Sequence, residues 1–306
     1  VVPVRDALLK SYTKGFDFLD ADVCQTPLML SLFRENRFDA IIHCAAQPSH
    51  DRAAVFPLVD FEINAKGTLG LLEANRLCSP EAPFVFMSTN KVYGDCVNNL
   101  DLVDGERRWG FPEAYWVGIP ETFPIDQSKH SIFGASKLAA DIMVQEYGRY
   151  FGMSTVCLRA GCLTGPGHAA VEQHGFLSYL VACNLRGETY TIYGYKGKQV
   201  RDNLHSDDVA AFIDCFLKSP KCAAVYNLGG GIDNSVSILE AFDLVSQITG
   251  KQMFSLYEDT PRQGDHMCYY SDLTHIREDY PSWLVSRSLN AILMDLVNDW
   301  ESRLVS

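Results

Sequence analysis

The sequence predicts an α/β fold: a doubly wound parallel sheet followed by a smaller lobe. Three observations carry this. From residue 15 to residue 161, short apolar runs alternate with segments of helical periodicity, the rhythm of parallel strands joined by helices. Residues 38–46, FDAIIHCAA, form a nearly continuous apolar run, as a strand covered on both faces requires. The ends of three predicted strands, HCAAQPSH, MSTNKVYG and LRAGCLTGP, are rich in small and polar residues. Ligands bind such sheets beyond the carboxyl ends of the strands.

The elements follow in order. GFDFLDADV (15–23) reads as a strand and TPLMLSLFREN (26–36) as a helix with Pro27 in its first turn. After the 38–46 strand, residues 56–77 form a long helix, with Leu58, Phe61, Ala65, Leu69 and Leu72 at three- and four-residue steps. Residues 82–89 are a strand, 131–151 a helix and 154–161 a strand. Beyond residue 162 the rhythm loosens. A helix (175–186) leads to TYTIYG, then to a strand and a helix in KQVRDNLHSDDVAAFIDCFLKS, with Ser206 as N-cap. VYNLGGG (225–231) is a strand ending in a glycine turn, without the spacing of a phosphate loop. Helices at 235–250, with Gly250 past its end, and 287–300 follow. We divide the chain into 1–162, the sheet domain, and 163–306, a lobe from which about 199–228 returns to the first sheet.

Composition narrows the function. With 306 residues, 47% of them hydrophobic, the chain can bury a full core. A net charge of −12 argues against nonspecific nucleic-acid binding and against docking on anionic membranes. The ten cysteines form no CxxC pair, so buried free thiols are expected rather than a metal site. Reduced thiols and the lack of a membrane-spanning run fit a cytoplasmic protein.

Single positions say little. Ser88 and Thr89 end a predicted strand, where hydroxyls meet a crevice or tie down a turn. Lys137 binds a ribose or pairs with Asp141 one turn on. Arg201 and Arg262 have the fork that clamps phosphate, and Asp265 can hold a ribose hydroxyl; taken singly, a solvated surface arginine is the commoner case.

Their order is more telling. IIHCAAQPSHDRA, DFEINAKGTLGLLEA, FMSTNKVYGD, FGASKLAAD, GKQVRDNLHSDDV, YNLGGG and RQGDHMCYYSDL together resemble the extended short-chain dehydrogenases/reductases, the NAD-dependent epimerase/dehydratase family. The likeness is greatest to the CDP-tyvelose (CDP-paratose) 2-epimerase subgroup. It implies a Rossmann-like sheet domain, NAD as cofactor, a nucleotide-sugar substrate and a homo-oligomer. Thr89 then contacts the reacting sugar hydroxyl and Lys137 the nicotinamide ribose. Ala45, Ala46, Gln47, Asn64, Ser88 and Cys162 flank the cofactor. Asn90 lies with the sugar, and Arg201, Arg262 and Asp265 bind the diphosphate and its ribose. The implied chemistry is oxidation at a sugar carbon, rotation of the flat keto sugar and hydride return to its other face. Dehydratases of the superfamily carry Asp-Glu after the Thr. This chain has Asn90-Lys91, with no carboxylate for elimination, which favours epimerisation. Another sugar-nucleotide oxidoreductase or dehydratase, or a non-catalytic binding protein on the same fold, is the alternative.

The chain departs from that pattern twice. Phe133 stands where the YxxxK tyrosine is expected, and phenylalanine cannot accept the sugar's proton. Thr89, His130 and Tyr93 are the candidate substitutes. Residues 1–14, VVPVRDALLKSYTK, read as the tail of a helix, and no Gly-rich strand–helix turn occurs. The sequence therefore reads as N-terminally truncated, with an exposed sheet edge, poor solubility and weak NAD binding expected of the isolated chain.

Overall fold

A computed structural model describes residues 15–169, 175–262 and 264–305. The helix expected over 1–14 lies outside them. The chain runs through α1 (Thr26–Glu35), β1 (Ile41–His43), α2 (His50–Val55), α3 (Pro57–Phe61), α4 (Gly67–Cys78) and β2 (Phe84–Thr89). A small hairpin, β3 (Val103–Asp104) and β4 (Trp109–Gly110), precedes α5 (Ser131–Phe151), β5 (Thr155–Ala160) and β6 (Cys162–Thr164). Then come α6 (Phe176–Arg186), β7 (Thr189–Tyr193), β8 (Val200–His205), α7 (Ser206–Lys218) and β9 (Ala224–Leu228). The last elements are β10 (Ser235–Ser237), α8 (Ile238–Thr249), β11 (Phe254–Glu258), β12 (Cys268–Tyr269), α9 (Thr274–Asp279) and α10 (Leu289–Val305).

The main sheet has the order β1-β2-β5-β9, all parallel. Successive side chains of β2 alternate between its faces. Phe84 and Phe86 pack with Met29, Phe33, Leu72, Val144 and Cys157 under α1, α4 and α5. Val85 joins Val156, Leu158, Phe212, Phe216 and Tyr226 under α7. The second lobe closes on Leu180, Val181, Val236, Ala241, Val245, Leu293 and Leu296, from α6, α8, α10 and β10. Among the described residues no helix is long and apolar enough to cross a membrane. All ten cysteines are free thiols.

Several sequence expectations need correction. Residues 16–20 are not a strand: strands require a ladder partner, and among the described residues none lies beside them. The 38–46 run yields only the three residues of β1, and Ile42 is 46% exposed. Of 199–228, β9 joins the main sheet, whereas β8 pairs with β6, β10 and β12 in a second sheet. The N-cap of α7 is His205, whose ring accepts from the Asp207 N–H, one residue before the expected Ser206. Residues 235–237 form β10, and Ser237 caps α8 in a reciprocal box with Glu240.

The 56–77 helix is interrupted by a π-turn, Glu62–Lys66. Each π-turn adds a residue to the helix. Of the predicted apolar stripe, Ala65 and Leu72 are buried, while Leu58 is 81% and Phe61 52% exposed.

The glycine turn after β9 serves close packing. A Cβ on Gly229 would stand 2.0 Å from Asp202 Oδ2, and one on Gly230 would stand 2.1 Å from the Asn203 carbonyl oxygen. We expect Gly230→Ala to cost about 1–3 kcal/mol through backbone displacement, measured by urea unfolding.

Candidate active site

The carboxyl ends of β2 and β5 open into a cavity of about 440 Å³ that reaches the second lobe. Ala46, Ser88, Thr89, Asn90, Phe133, Lys137, Cys162, Arg201, Arg262 and Asp265 all line it. Of the expected site residues, Ala45 is exposed and off the lining; Gln47 and Asn64 are buried behind it.

Those two hold the loop that carries Ala46. The π-turn turns Asn64 inward. Its side chain accepts from the Gln47 N–H at 2.9 Å and donates to the Gln47 carbonyl at 3.1 Å. It also donates to Asp60 and to Ser136 of α5, both at 3.1 Å. Ser136 donates to Asp60 at 2.5 Å, and the Gln47 amide donates to Asp60 at 2.7 Å. Every member is buried, so the network fixes loop against helix.

Helix α5 presents Phe133 and Lys137 one turn apart. Lys137 is 3% exposed. Its ammonium donates to the Met87 carbonyl at 2.7 Å and sits 4.1 Å from the Phe86 ring centroid. The Lys137–Asp141 pair weighed from the sequence does not form a direct contact. Asp141 instead accepts from Arg159 at 3.0 Å, from Ser88 at 2.6 Å and from Gln145 at 2.7 Å. Burial, opposed in part by nearby Asp141, brings the Lys137 ammonium down to about 8. An ammonium has three donors, and the described residues engage one of them by hydrogen bond. A buried cation with unmet donors on a cavity wall fits a ribose diol or another polar group of a bound cofactor. The described residues contain no glycine-rich loop for a dinucleotide's far phosphate.

Thr89 ends β2 with its hydroxyl accepting from the Lys91 N–H at 3.2 Å. Lys91 was missed as a site residue, because its partners lie far along the chain. Its ammonium donates to the Gly264 carbonyl at 2.9 Å and stands 3.8 Å from Asp265. Burial lowers Lys91 to about 8, although Asp265 opposes this. Asp265 also pairs with Arg201. Burial pushes this carboxyl up, but Arg201 and Lys91 outweigh it and hold the group below the usual carboxylate range. Arg262 stacks 4.4 Å from the Tyr193 ring centroid. Lys91 and Arg201 thus share one carboxylate, and Arg262 lines the same cavity, a positive cluster in an acidic chain. Burial pushes the Cys162 thiol up to about 11, so it stays protonated.

Two of the three candidate proton acceptors fall away. Tyr93 is fully buried, donates to Asn227 at 2.7 Å and is held by burial above its ordinary value. Both His130 ring nitrogens face backbone carbonyls, of Ser128 at 2.9 Å and Val92 at 2.8 Å.

Comparison with known proteins agrees with this geometry. Residues 3–229 match the NAD dependent epimerase/dehydratase family. The CDP-paratose 2-epimerase of Salmonella typhi is 31% identical over 86% of this chain and 78% of that protein. A dTDP-glucose 4,6-dehydratase of Escherichia coli is 31% identical over 79% of this chain, but the match spans 66% of its own length. Among solved structures, UDP-glucose 4-epimerase of Thermus thermophilus in complex with NAD superposes with a TM-score of 0.77 at 27% identity, covering 94% of this chain and 86% of that one. UDP-glucose 4-epimerase of Thermotoga maritima with UDP-glucose gives a TM-score of 0.77 at 25% identity, covering 94% and 85%. The chain belongs to the NAD-dependent epimerase/dehydratase family, on its Rossmann-like fold with a smaller C-terminal lobe.

The site depends on the buried Arg159–Asp141 pair. We expect Arg159→Met to strand the Asp141 carboxylate and cost about 3–5 kcal/mol, measured by urea unfolding.

Proposed function

We propose that this chain epimerises a nucleotide sugar, with a CDP-sugar at C2 as the favoured substrate and carbon. The carrying observation is the meeting in one cavity of Lys137, the Thr89 hydroxyl and the Arg201–Arg262 cations, with Asn90-Lys91 where a dehydratase has an acid pair. NAD, held by Lys137 and the loop around Ala46, would supply the hydride acceptor and donor for oxidation and re-reduction of the sugar carbon. Lys137 holds the nicotinamide ribose and places positive charge beside the reacting oxygen. Thr89 orients the hydroxyl that becomes the ketone, and Asn90 holds the sugar ring. Ala46, Ser88 and Cys162 flank the nicotinamide, with Ala45 at the edge and Gln47 and Asn64 fixing their loop. Arg201, Arg262 and Lys91 balance the diphosphate, and Asp265 sets the fork of Arg201 or takes the nucleoside ribose. The exposed apolar residues Phe56, Leu58 and Phe61 support a homo-oligomer.

Phe133 favours a second reading, a binding protein without turnover. The two part in heavy water. CDP- and UDP-sugars should epimerise with no deuterium at the inverted carbon, read by mass spectrometry, because the hydrogen returns from the cofactor. Loss of water would instead identify a dehydratase, and binding without conversion a non-catalytic protein.

Two further outcomes follow from the lysines. Lys137→Met should lower turnover by about 10²–10³-fold, measured as initial rates. Lys91 is charged below about 8 and neutral above it. Binding of CDP and UDP should therefore weaken as pH rises through that value. Lys91→Met should bind weakly throughout and lose this limb, as read by calorimetry.

A further inference from the structure

Helix α3 is turned inside out. Its apolar residues Leu58 and Phe61 face solvent, while Asp60 between them is 1% exposed. An amphipathic helix ordinarily does the reverse. Burying a carboxylate is unfavourable unless hydrogen bonds replace its water. The surroundings of Asp60 supply those bonds and give the reversal a purpose.

Three neutral side chains meet the carboxylate, and each is constrained to donate. The Gln47 amide oxygen accepts from the Ser49 N–H at 2.7 Å, which turns the amide nitrogen to Asp60 Oδ1 at 2.7 Å. The Asn64 amide oxygen accepts from the Gln47 N–H, which turns its nitrogen to the same Asp60 oxygen at 3.1 Å. The Ser136 hydroxyl accepts from that Asn64 nitrogen and donates to Asp60 Oδ2 at 2.5 Å. A carboxylate, which only accepts, answers all three.

The donors come from two separate parts of the cavity wall. Gln47 belongs to the loop whose Ala46, Pro48 and Ser49 line the cavity. Ser136 belongs to α5, between the lining residues Phe133 and Lys137. Burial lowers Lys137, and Asp60 is one of the anions, after Asp141, that oppose this. One buried charge therefore reaches both sides of the corner that Lys137 and the loop form.

We propose that Asp60 is a positioning residue for the cofactor: its carboxylate locks the Ala46–Ser49 loop to the turn of α5 that bears Lys137. That this corner takes the nicotinamide ribose rests on the epimerase reading.

The test compares Asp60→Ala, which leaves three donors unanswered, with Asp60→Asn. The asparagine oxygen still accepts from Gln47 and Asn64. Ser136 then turns its hydrogen to the Phe133 carbonyl, 3.0 Å away, and accepts from the new amide. In the full chain without ligand, hydrogen exchange read by mass spectrometry should rise in Asp60→Ala over both 45–50 and 131–138. It should stay unchanged over α6 and α8, and Asp60→Asn should return both segments towards the parent. Binding gives a second readout. NADH, followed by its fluorescence, should bind Asp60→Ala about 10–100-fold more weakly. CDP and UDP affinity should stay within about twofold of the parent, because the diphosphate cations stand on the opposite wall. A general loss of fold would weaken all three ligands alike. If Asp60→Ala does not fold, Ser136→Ala removes one donor and carries the same comparison.

The proposal is overturned if exchange rises over α3 alone, or if NADH and CDP weaken by the same factor. It is equally overturned if Asp60→Asn behaves as Asp60→Ala does. Should the parent chain bind no NADH, the cofactor reading fails separately, and the exchange of the two segments alone decides whether Asp60 joins them.

Discussion

The buried Arg159–Asp141 pair is the constraint on which the site depends. Arg159 is 3% exposed and Asp141 fully buried, so each must find its charge partner inside the protein. They join the last strand turn of β5 to the middle of α5, and Ser88 adds the end of β2. Those three elements carry Met87, Ser88, Thr89, Phe133, Lys137 and Ala160 of the cavity wall. Because Arg159 occupies Asp141, Lys137 one turn earlier is left facing the cavity without a direct carboxylate contact. The cation that looks surface-paired in sequence is thereby turned to the cavity.

The opposite wall is built on a different principle. Lys91, Arg201 and Arg262 outnumber Asp265, and the excess positive charge is focused by low-dielectric surroundings. Asp265 keeps the cluster from repelling itself and orients Arg201. Under the proposed function the wall near Lys137 meets the nicotinamide ribose and the far wall the diphosphate, and Thr89 and Phe133 bound the part of the cavity that takes the sugar.

Much of this was legible in the sequence. The alternation from residue 26 to 161, the long helix 131–151 and the strands at 82–89 and 154–161 rest on local periodicity, and they stand. The glycine turn at 228–231 was read correctly as a turn. What failed needed information that no local window holds. GFDFLDADV has strand composition, yet strand identity belongs to a pair. Lys91 reads as a bystander until the chain returns at Gly264. His130 is close to Phe133 in sequence and Tyr93 to Thr89, but their polar atoms are already engaged with the backbone or with Asn227.

The π-turn at Glu62–Lys66 has an effect that extends past Asn64. One inserted residue rotates everything before it by about 100° relative to everything after it. It works as a phase shifter in an otherwise continuous rod. The segment after the turn, with Leu71 and Leu72, stays in register with the sheet. The segment before it, with Leu58 and Phe61, points its oily side outward. One helix thereby acquires two allegiances, to its own core and to whatever meets its surface. The residue at the joint is the one that grips the cavity loop. Any body that presses on the outer half would be felt mechanically at that joint, and through Gln47 at the mouth of the cavity.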